Sequence, residues 1–194
     1  YNLTKYDNSV NDLKSLLKSI YNLQCIREKI ADGTYENKFG DLLLKNNMTI
    51  SFAESCTGGM LASTLINVSG SSNVINESYV TYSEEAKMRI LGVSKETLNK
   101  YTVYSSEVAE EMAEGLKKVT HANVCASVTG KAEDESGICK CDYCIIVNDS
   151  KVLENVSFQG SRNQVRTMQT KHIMNRIIEI LRGYFGWYNP HFMV

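Results

Sequence analysis

Ser55, Tyr82 and Thr129 each stand at the end of a short apolar stretch of the sequence. If these stretches are strands of an open α/β sheet, their carboxyl ends converge on the crevice in which such sheets bind ligands. The three side chains are then candidates for a single site. A serine becomes a nucleophile when a neighbouring group removes its proton, so the chemistry expected at Ser55 is acyl transfer with a nearby base.

The turn after Ser55 contains Gly58 and Gly59, and residues 60–66 have the composition of a helix. Glycines allow the backbone to approach a ligand closely. The first turn of a helix presents unpaired amides, which suit a phosphate or a developing oxyanion. A helix cap without chemistry accounts for the same residues, and the pattern alone leaves both interpretations open.

Histidine is a frequent base for a serine nucleophile, but none of the three histidines lies in a turn of small residues: His121, His172 and His191. A lysine with a lowered pKa, acting through a tyrosine, is the alternative base. Tyr82 ends a predicted strand and Lys87 lies about one turn into the following helix, so both fit these roles. Taken alone, the two residues are better explained as a solvated helix lysine and a tyrosine at the edge of the core.

Short-chain dehydrogenases also combine a serine, a tyrosine and a lysine, but their tyrosine and lysine are four residues apart on one helix. Here Tyr82 and Lys87 are five apart across a strand–helix junction, and no glycine-rich G-x-x-x-G-x-G segment precedes them. The dinucleotide-binding fingerprint is therefore absent from the sequence, and a dehydrogenase of this class is excluded.

The composition bounds the classes of partner that we expect. The 194 residues, 43% of them hydrophobic, suffice for one domain with one core. A formal net charge of -1 argues against a broad nucleic-acid surface, and the apolar stretches are too short to span a membrane. The polar first ten residues lack the order of a secretory signal, so we expect a cytoplasmic protein without nucleic-acid or membrane partners. Formation of a homo-oligomer is left open.

The chain has six cysteines, three of which form the motif C-x-C-x-x-C at Cys139, Cys141 and Cys144. This motif is typical of metal binding, but a structural zinc site needs a fourth protein ligand, and no further cysteine or histidine lies nearby in sequence. We therefore expect no metal here. The remaining cysteines stand singly among apolar or small residues, where buried free thiols are expected.

Periodicity and turn residues predict alternating helices and strands. Helices are predicted over residues 9–31, 37–45, 60–66, 83–91 with Ser83 as cap, 105–119 and 163–181. Strands are predicted over residues 48–53, 78–82, 123–128, 143–147 and 151–158, the last two joined by a turn at 148–150 as a hairpin. This order predicts an α/β fold, a three-layer-type sandwich with a mixed β-sheet covered by helices.

The segment AESCTGGMLA, residues 53–62, closely resembles the A-E-S-C-T-G-G-x-L-A signature of the CinA C-terminal domain family. The resemblance runs in the family's order through roughly residues 39–182, in the segments 69–72, 82–87, 91–93, 105–109, 112–115, 129–130 and 158–162. It implies three parts of the chain: a helical N-terminal extension (1–36), an amidase domain (37–182) and an aromatic C-terminal tail (183–194).

Many members of this family are nicotinamide-nucleotide amidases, which convert nicotinamide mononucleotide and water to nicotinic acid mononucleotide and ammonia. The resemblance therefore implies a catalytic serine, tyrosine and lysine at Ser55, Tyr82 and Lys87, with Lys87 acting as base through Tyr82. Backbone amides of residues 55–59 are the expected oxyanion hole. The residues expected to bind the substrate are Thr57, Gly58, Gly59, Thr129, Gly130 and Arg162. No metal or organic cofactor is implied.

The sequence departs from the family after Gly130, where a short loop rich in glycine is usual. Residues 131–142 replace that loop here and include three consecutive acids, Glu133, Asp134 and Glu135. These acids would repel a substrate phosphate if they faced it. The departure favours an alternative function, a catalytically degenerate module of the same family that binds a ligand or regulates a partner.

Overall fold

The computed structural model describes residues 34–185 of the chain. The helix predicted for residues 9–31 lies outside the described residues, as do residues 186–194 of the aromatic tail. The described helices are α1 (Thr34–Lys45), α2 (Met60–Ile66), α3 (Glu84–Leu91), α4 (Lys95–Tyr101), α5 (Ser106–Thr120) and α6 (Arg162–Tyr184), with a short 3-10 helix at Ser71–Asn73. The strands are β1 (Ile50–Glu54), β2 (Tyr79–Val80), β3 (Val124–Gly130), β4 (Ile138–Val147) and β5 (Ser150–Gln159).

The five strands form one mixed sheet in the order β2-β1-β3-β4-β5. Strands β1, β2 and β3 are parallel, whereas β4 runs antiparallel to β3 and forms a hairpin with β5. The predicted mixed sheet is therefore confirmed. Because β1 is flanked by the two parallel strands β2 and β3, the carboxyl ends of all three meet at one edge of the sheet.

Helices cover both faces of the sheet and make the three-layer sandwich that the sequence predicts. Alternate residues of β1 point to opposite faces: Ile50 and Phe52 pack with α1, α2 and α6, whereas Ala53 packs with α3, α4 and α5. Each face thus has its own hydrophobic core. No helix in the described range is both long and apolar enough to cross a membrane.

Three details differ from the local predictions. Strand β2 has only two residues, because it is an edge strand that pairs with β1 at two positions alone. Strand β4 begins at Ile138, five residues before the predicted start at 143. The prediction began too late because the exposed Lys140 interrupts the apolar pattern of the strand. Helix α4 was not predicted; its seven residues are mostly polar, although Ser94 caps it by accepting a bond from the amide of Thr97.

Gly115 lies where α5 crosses the last turn of α3, the helix that carries Lys87. A Cβ atom at this position would stand 1.8 Å from the backbone oxygen of Leu91. We expect Gly115→Ala to lower the free energy of unfolding by about 3 kcal/mol or more, since backbone must move to relieve the clash. Urea denaturation measures this loss.

Gly183→Ala is the matched control, because Gly183 is also helical and a Cβ there would meet nothing within 4 Å. This variant should be unchanged or more stable by up to about 1 kcal/mol. Equal stabilities of the two variants would contradict the assignment of Gly115 to a close helix contact.

Candidate active site

Ser55 lies immediately after β1, at the edge where the parallel strands end. Its side chain is buried, with 4% of the residue exposed. The backbone around it is held on two sides: its amide donates to the oxygen of Val128 at 3.1 Å, and its carbonyl accepts from the amide of Gly58 at 3.1 Å. The turn after Ser55 requires glycine, because Gly58 and Gly59 have φ values of 61° and 92°.

Lys87 is fully buried and reaches Ser55 directly. Its Nζ lies 3.2 Å from Oγ of Ser55, 2.7 Å from the carbonyl oxygen of Thr81 and 3.2 Å from that of Tyr82. The pairing of β2 with β1 brings residues 79–82 next to the serine. The predicted cap is confirmed, because Ser83 accepts a bond from the amide of Ala86 and starts α3 at this point. Lys87 then follows one turn later.

The environment of Lys87 makes its neutral form more accessible than it is in water. Burial lowers the pKa of its ammonium from 10.5 to about 8. A neutral amine has two N–H donors and one lone pair, and the carbonyls of Thr81 and Tyr82 can only accept hydrogen bonds. When both N–H groups are donated to these carbonyls, the lone pair is left for the hydroxyl proton of Ser55. Lys87 is therefore arranged as a proton acceptor for the serine.

The expected relay through the hydroxyl of Tyr82 is not seen in this arrangement. Tyr82 is 61% exposed, and its hydroxyl accepts a bond from Nη2 of Arg162 at 3.1 Å. Tyr82 contacts Lys87 through its backbone carbonyl instead. Because Lys87 touches Ser55 itself, proton transfer needs no intermediate side chain, and the catalytic role predicted for Tyr82 stays a prediction.

The sequence left two interpretations of the N-terminus of α2 open, a site for a phosphate or an oxyanion and a capped helix end, and three of its amides follow the second. The buried carboxylate of Glu54 accepts bonds from the amides of Gly59, Leu61 and Ala62 at 2.9 to 3.1 Å. A carboxylate at a helix N-terminus satisfies its unpaired donors and its dipole. Glu54 thus fixes the start of α2, and no ligand can use those three amides.

Two amides of the turn have no oxygen partner in the part of the chain that the structure describes. Among residues 34–185, the amides of Cys56 and Thr57 donate to no oxygen acceptor. Both act on the Cys56 thiol in the direction that lowers its pKa, but burial dominates and raises that pKa to about 12. The thiolate is the nucleophilic form of cysteine, so the raised pKa disfavours Cys56 as a nucleophile.

Arg166 holds the same turn from α6 and was missed by the sequence analysis. Its Nε donates to the carbonyl of Cys56 at 3.0 Å, and its Nη2 donates to that of Thr57 at 2.9 Å. In a planar trans peptide the N–H points away from the C=O, so these bonds set the direction of the Thr57 and Gly58 amides. The sequence could have indicated this role, because Arg166 is four residues after Arg162, one turn along the same helix, and therefore on the same helix face.

A cavity of about 430 Å³ opens beside Ser55. Its size is within the usual range for small-molecule sites. Its walls come from the turn after β1, the start of α3, the segment before α5, the loop after β3 and the start of α6. The lining residues are Ser55, Cys56, Tyr82, Ser83, Glu84, Val103, Tyr104, Gly130, Lys131, Ala132, Glu133 and Arg162.

Of the six residues expected to bind the substrate, Gly130 and Arg162 line this cavity, whereas Thr57, Gly58, Gly59 and Thr129 are not among its lining residues within the described range. The alternation of β3 turns Thr129 toward the α5 side of the sheet, where its hydroxyl donates to the carbonyl of Val103 at 2.7 Å. Thr129 is thus hydrogen-bonded to Val103, a residue of the cavity wall, and does not itself line the cavity. Gly130 needs its hydrogen, because a Cβ there would lie 2.5 Å from Cα of Cys141.

The three acids of the loop between β3 and β4 have different neighbours. Glu133 lines the cavity, with its carboxylate 3.7 Å from Nη1 of Arg162. Asp134 pairs with Lys131 at 2.6 Å, and this pair helps to hold the pKa of Asp134 well below its usual range. Of the three consecutive acids, the structure therefore brings one, Glu133, to the cavity wall.

The cysteines of the C-x-C-x-x-C motif all lie on β4 and are buried as free thiols. The alternation of the strand places Cys141 in the core next to α6 and Cys144 in the core next to α5. Thiols on opposite faces of a sheet cannot ligate one ion.

We therefore predict less than one tenth of a zinc ion per chain, on the order of background, by elemental analysis of protein purified without chelator. One zinc per chain would contradict this.

Comparisons with known proteins agree on one relationship. The family model of the CinA C-terminal domain matches residues 32–181. A CinA-like protein of Petrotoga mobilis is 39% identical over 178 residues, which cover 89% of this chain and 44% of that protein. A CinA-like protein of Fervidobacterium nodosum is 40% identical, with coverages of 81% and 38%. This chain therefore spans less than half the length of these curated relatives.

A solved structure matches over nearly its whole length. The crystal structure of a competence or damage-inducible protein from Enterobacter asburiae has a TM-score of 0.73 and 26% sequence identity. The match covers 77% of this chain and 97% of that one. The three-layer fold with its mixed sheet is thus shared with a protein known from experiment.

Proposed function

Because the chain belongs to the CinA C-terminal domain family, we propose that it is an amidohydrolase that converts nicotinamide mononucleotide and water to nicotinic acid mononucleotide and ammonia. Nicotinamide-nucleotide amidases within the family supply the substrate class. The chain spans less than half the length of its curated relatives, so the activity is proposed for this chain separately from theirs.

One observation carries the proposal: Nζ of the buried Lys87 lies 3.2 Å from Oγ of Ser55. A serine paired with a base is the arrangement required for nucleophilic catalysis. The lowered pKa of Lys87, about 8, leaves roughly one tenth of the lysines neutral at pH 7. A base with a pKa near the working pH combines a sufficient neutral fraction with a sufficient affinity for the proton.

In the first half of the reaction, Oγ of Ser55 attacks the carbonyl carbon of the nicotinamide amide while Lys87 accepts the hydroxyl proton. The carbonyl oxygen becomes an oxyanion, and the amides of Cys56 and Thr57, which donate to no oxygen of the described residues, are its candidate donors. The amide of the residue after the nucleophile serves this purpose in other serine hydrolases. The C–N bond then breaks, and Lys87 returns its proton to the leaving group, which departs as ammonia.

In the second half, water attacks the ester carbon of the acyl-enzyme and Lys87 accepts a proton from the water. The C–O bond to Ser55 breaks, the serine regains its proton, and the carboxylate product leaves. Arg162 and Lys131 on the cavity wall are the candidates for binding the phosphate of the nucleotide, because both side chains are donors and carry positive charge.

The direct test is to incubate the purified protein with nicotinamide mononucleotide and to measure both ammonia and nicotinic acid mononucleotide. We expect the two products in a ratio of one to one, without added metal or cofactor. Binding of the nucleotide without release of ammonia would contradict the amidase function and support the alternative, a binding or regulatory module.

A further inference from the structure

Arg162 lies between two partners on the wall of the cavity. Its Nη2 donates to the hydroxyl of Tyr82 at 3.1 Å, and its Nη1 lies 3.7 Å from Oε2 of Glu133. The three residues come from different segments of the chain, and all three line the cavity. A guanidinium binds carboxylates and phosphates through the same fork of N–H donors. Glu133 therefore takes a position on Arg162 that a phosphate group would also take.

The second cation on the cavity wall is engaged in the same way. Lys131 pairs with Asp134 of its own loop at 2.6 Å. Each of the two cations thus has a carboxylate partner from the loop between β3 and β4. Two acids, Glu84 and Glu133, line the cavity together with these two bases, so the formal charges of the lining side chains cancel. A doubly charged phosphate gains less from such a wall than from an unopposed pair of cations.

We propose that Glu133 is a specificity-determining residue, which competes with the phosphate group of the ligand for Arg162 and thereby sets the affinity of the cavity for phosphorylated compounds. The proposal rests on the proposed function, because it concerns the same cavity and the same class of substrate.

The geometry makes this competition reversible. The side chains of Glu133 and Arg162 are 76% and 50% exposed, and their atoms are 3.7 Å apart. An exposed ion pair of this kind is weak, so an arriving phosphate can displace the carboxylate. Removing the charge of the carboxylate should therefore strengthen phosphate binding, most clearly at low salt, where screening is weak.

The test is a calorimetric titration with ribose 5-phosphate, a probe that carries the phosphate and the sugar but no amide. We expect Glu133→Gln to bind this probe about fivefold more tightly than the unmodified protein at low salt, the upper limit for an exposed ion pair. Glu135→Gln is the matched control: it removes the same charge from an exposed residue of the same loop, and Glu135 is not among the described residues that line the cavity. Its affinity should stay within about twofold of the unmodified protein.

A double variant tests whether Arg162 is the object of the competition. The double variant Arg162→Met/Glu133→Gln should bind the probe no more tightly than Arg162→Met alone, because the cation for which the carboxylate competes is gone. Three results would overturn the proposal: equal affinities for Glu133→Gln and the unmodified protein, an equal gain in Glu135→Gln, or a gain that persists without Arg162. Absence of binding by every variant would overturn it as well.

The probe separates this inference from the proposed function. Ribose 5-phosphate cannot be deamidated, so its affinity does not depend on catalysis. A protein that releases no ammonia from nicotinamide mononucleotide, yet binds the probe more tightly as Glu133→Gln, refutes the amidase function and supports the role of Glu133. Ammonia release without any effect of Glu133→Gln on probe binding would support the amidase function and refute the role of Glu133.

Discussion

Ser55→Ala is expected to lower the rate of ammonia release from nicotinamide mononucleotide by roughly four to six orders of magnitude, the range known for loss of a serine nucleophile. The variant cannot form the acyl-enzyme, because alanine has no atom to attack the carbonyl carbon. It should still fold, since Lys87 keeps its bonds to the carbonyls of Thr81 and Tyr82. Steady-state kinetics and urea denaturation measure the two effects separately.

Ser51→Ala is the matched control for this variant. Ser51 is also a buried serine on β1, but its hydroxyl donates to the carbonyl of Glu77 at 2.6 Å. It is not among the hydrogen-bond partners of Lys87. Its loss should cost about 1 kcal/mol of stability and little activity. If Ser55→Ala retained activity within tenfold of the unmodified protein, the acyl-enzyme mechanism would be excluded.

Lys87→Arg is expected to be nearly inactive, although it keeps the positive charge. A guanidinium is not deprotonated in the accessible pH range, so arginine cannot accept the proton of Ser55. The unmodified enzyme should show a kcat/KM that rises with pH through about 8 and then levels, because the neutral amine is the active form and burial lowers its pKa to that value. The pH profile of kcat/KM measures this dependence.

If Lys87 instead stayed charged and merely paired with the substrate phosphate, the profile would be flat near neutral pH and Lys87→Arg would keep much of its turnover. Near-normal turnover of this variant would remove lysine from the role of base. The comparison decides between the two roles without a structure of the complex.

The lowered pKa of Lys87 also has a consequence for stability that does not depend on catalysis. Between pH 8 and the unfolded value of about 10.5, the unfolded chain binds a proton that the folded chain has released. The free energy of unfolding should therefore rise with pH in this window, relative to Lys87→Met, which has no such proton. Equal slopes for the two proteins would contradict the lowered pKa.

Much of the fold follows from local patterns. The cap at Ser83, the helix at residues 60–66 and the β4–β5 hairpin depend on neighbours within a few residues, so the sequence predicts them and the structure confirms them. Weak local signals were misleading in helix α4 and at the start of β4. In α4, burial of Leu98 in the core beside α5 decides the conformation. At the start of β4, pairing with β5 decides it. No local pattern records either of these contacts.

By itself, the sequence determined the chemical types at the site: a serine on a glycine turn after a strand, and a lysine one turn into the next helix. Only the tertiary structure decided how they meet. The direct contact of Lys87 with Ser55 depends on parallel pairing between β1 and β2. The hold of Arg166 on the turn links residues more than 100 positions apart, and its geometry depends on how α6 packs against the sheet. Periodicity indicates which side of a helix or strand is buried, whereas packing between elements sets the contacts of each side chain. The sequence therefore predicted the residue types of the site but not the geometry in which they meet.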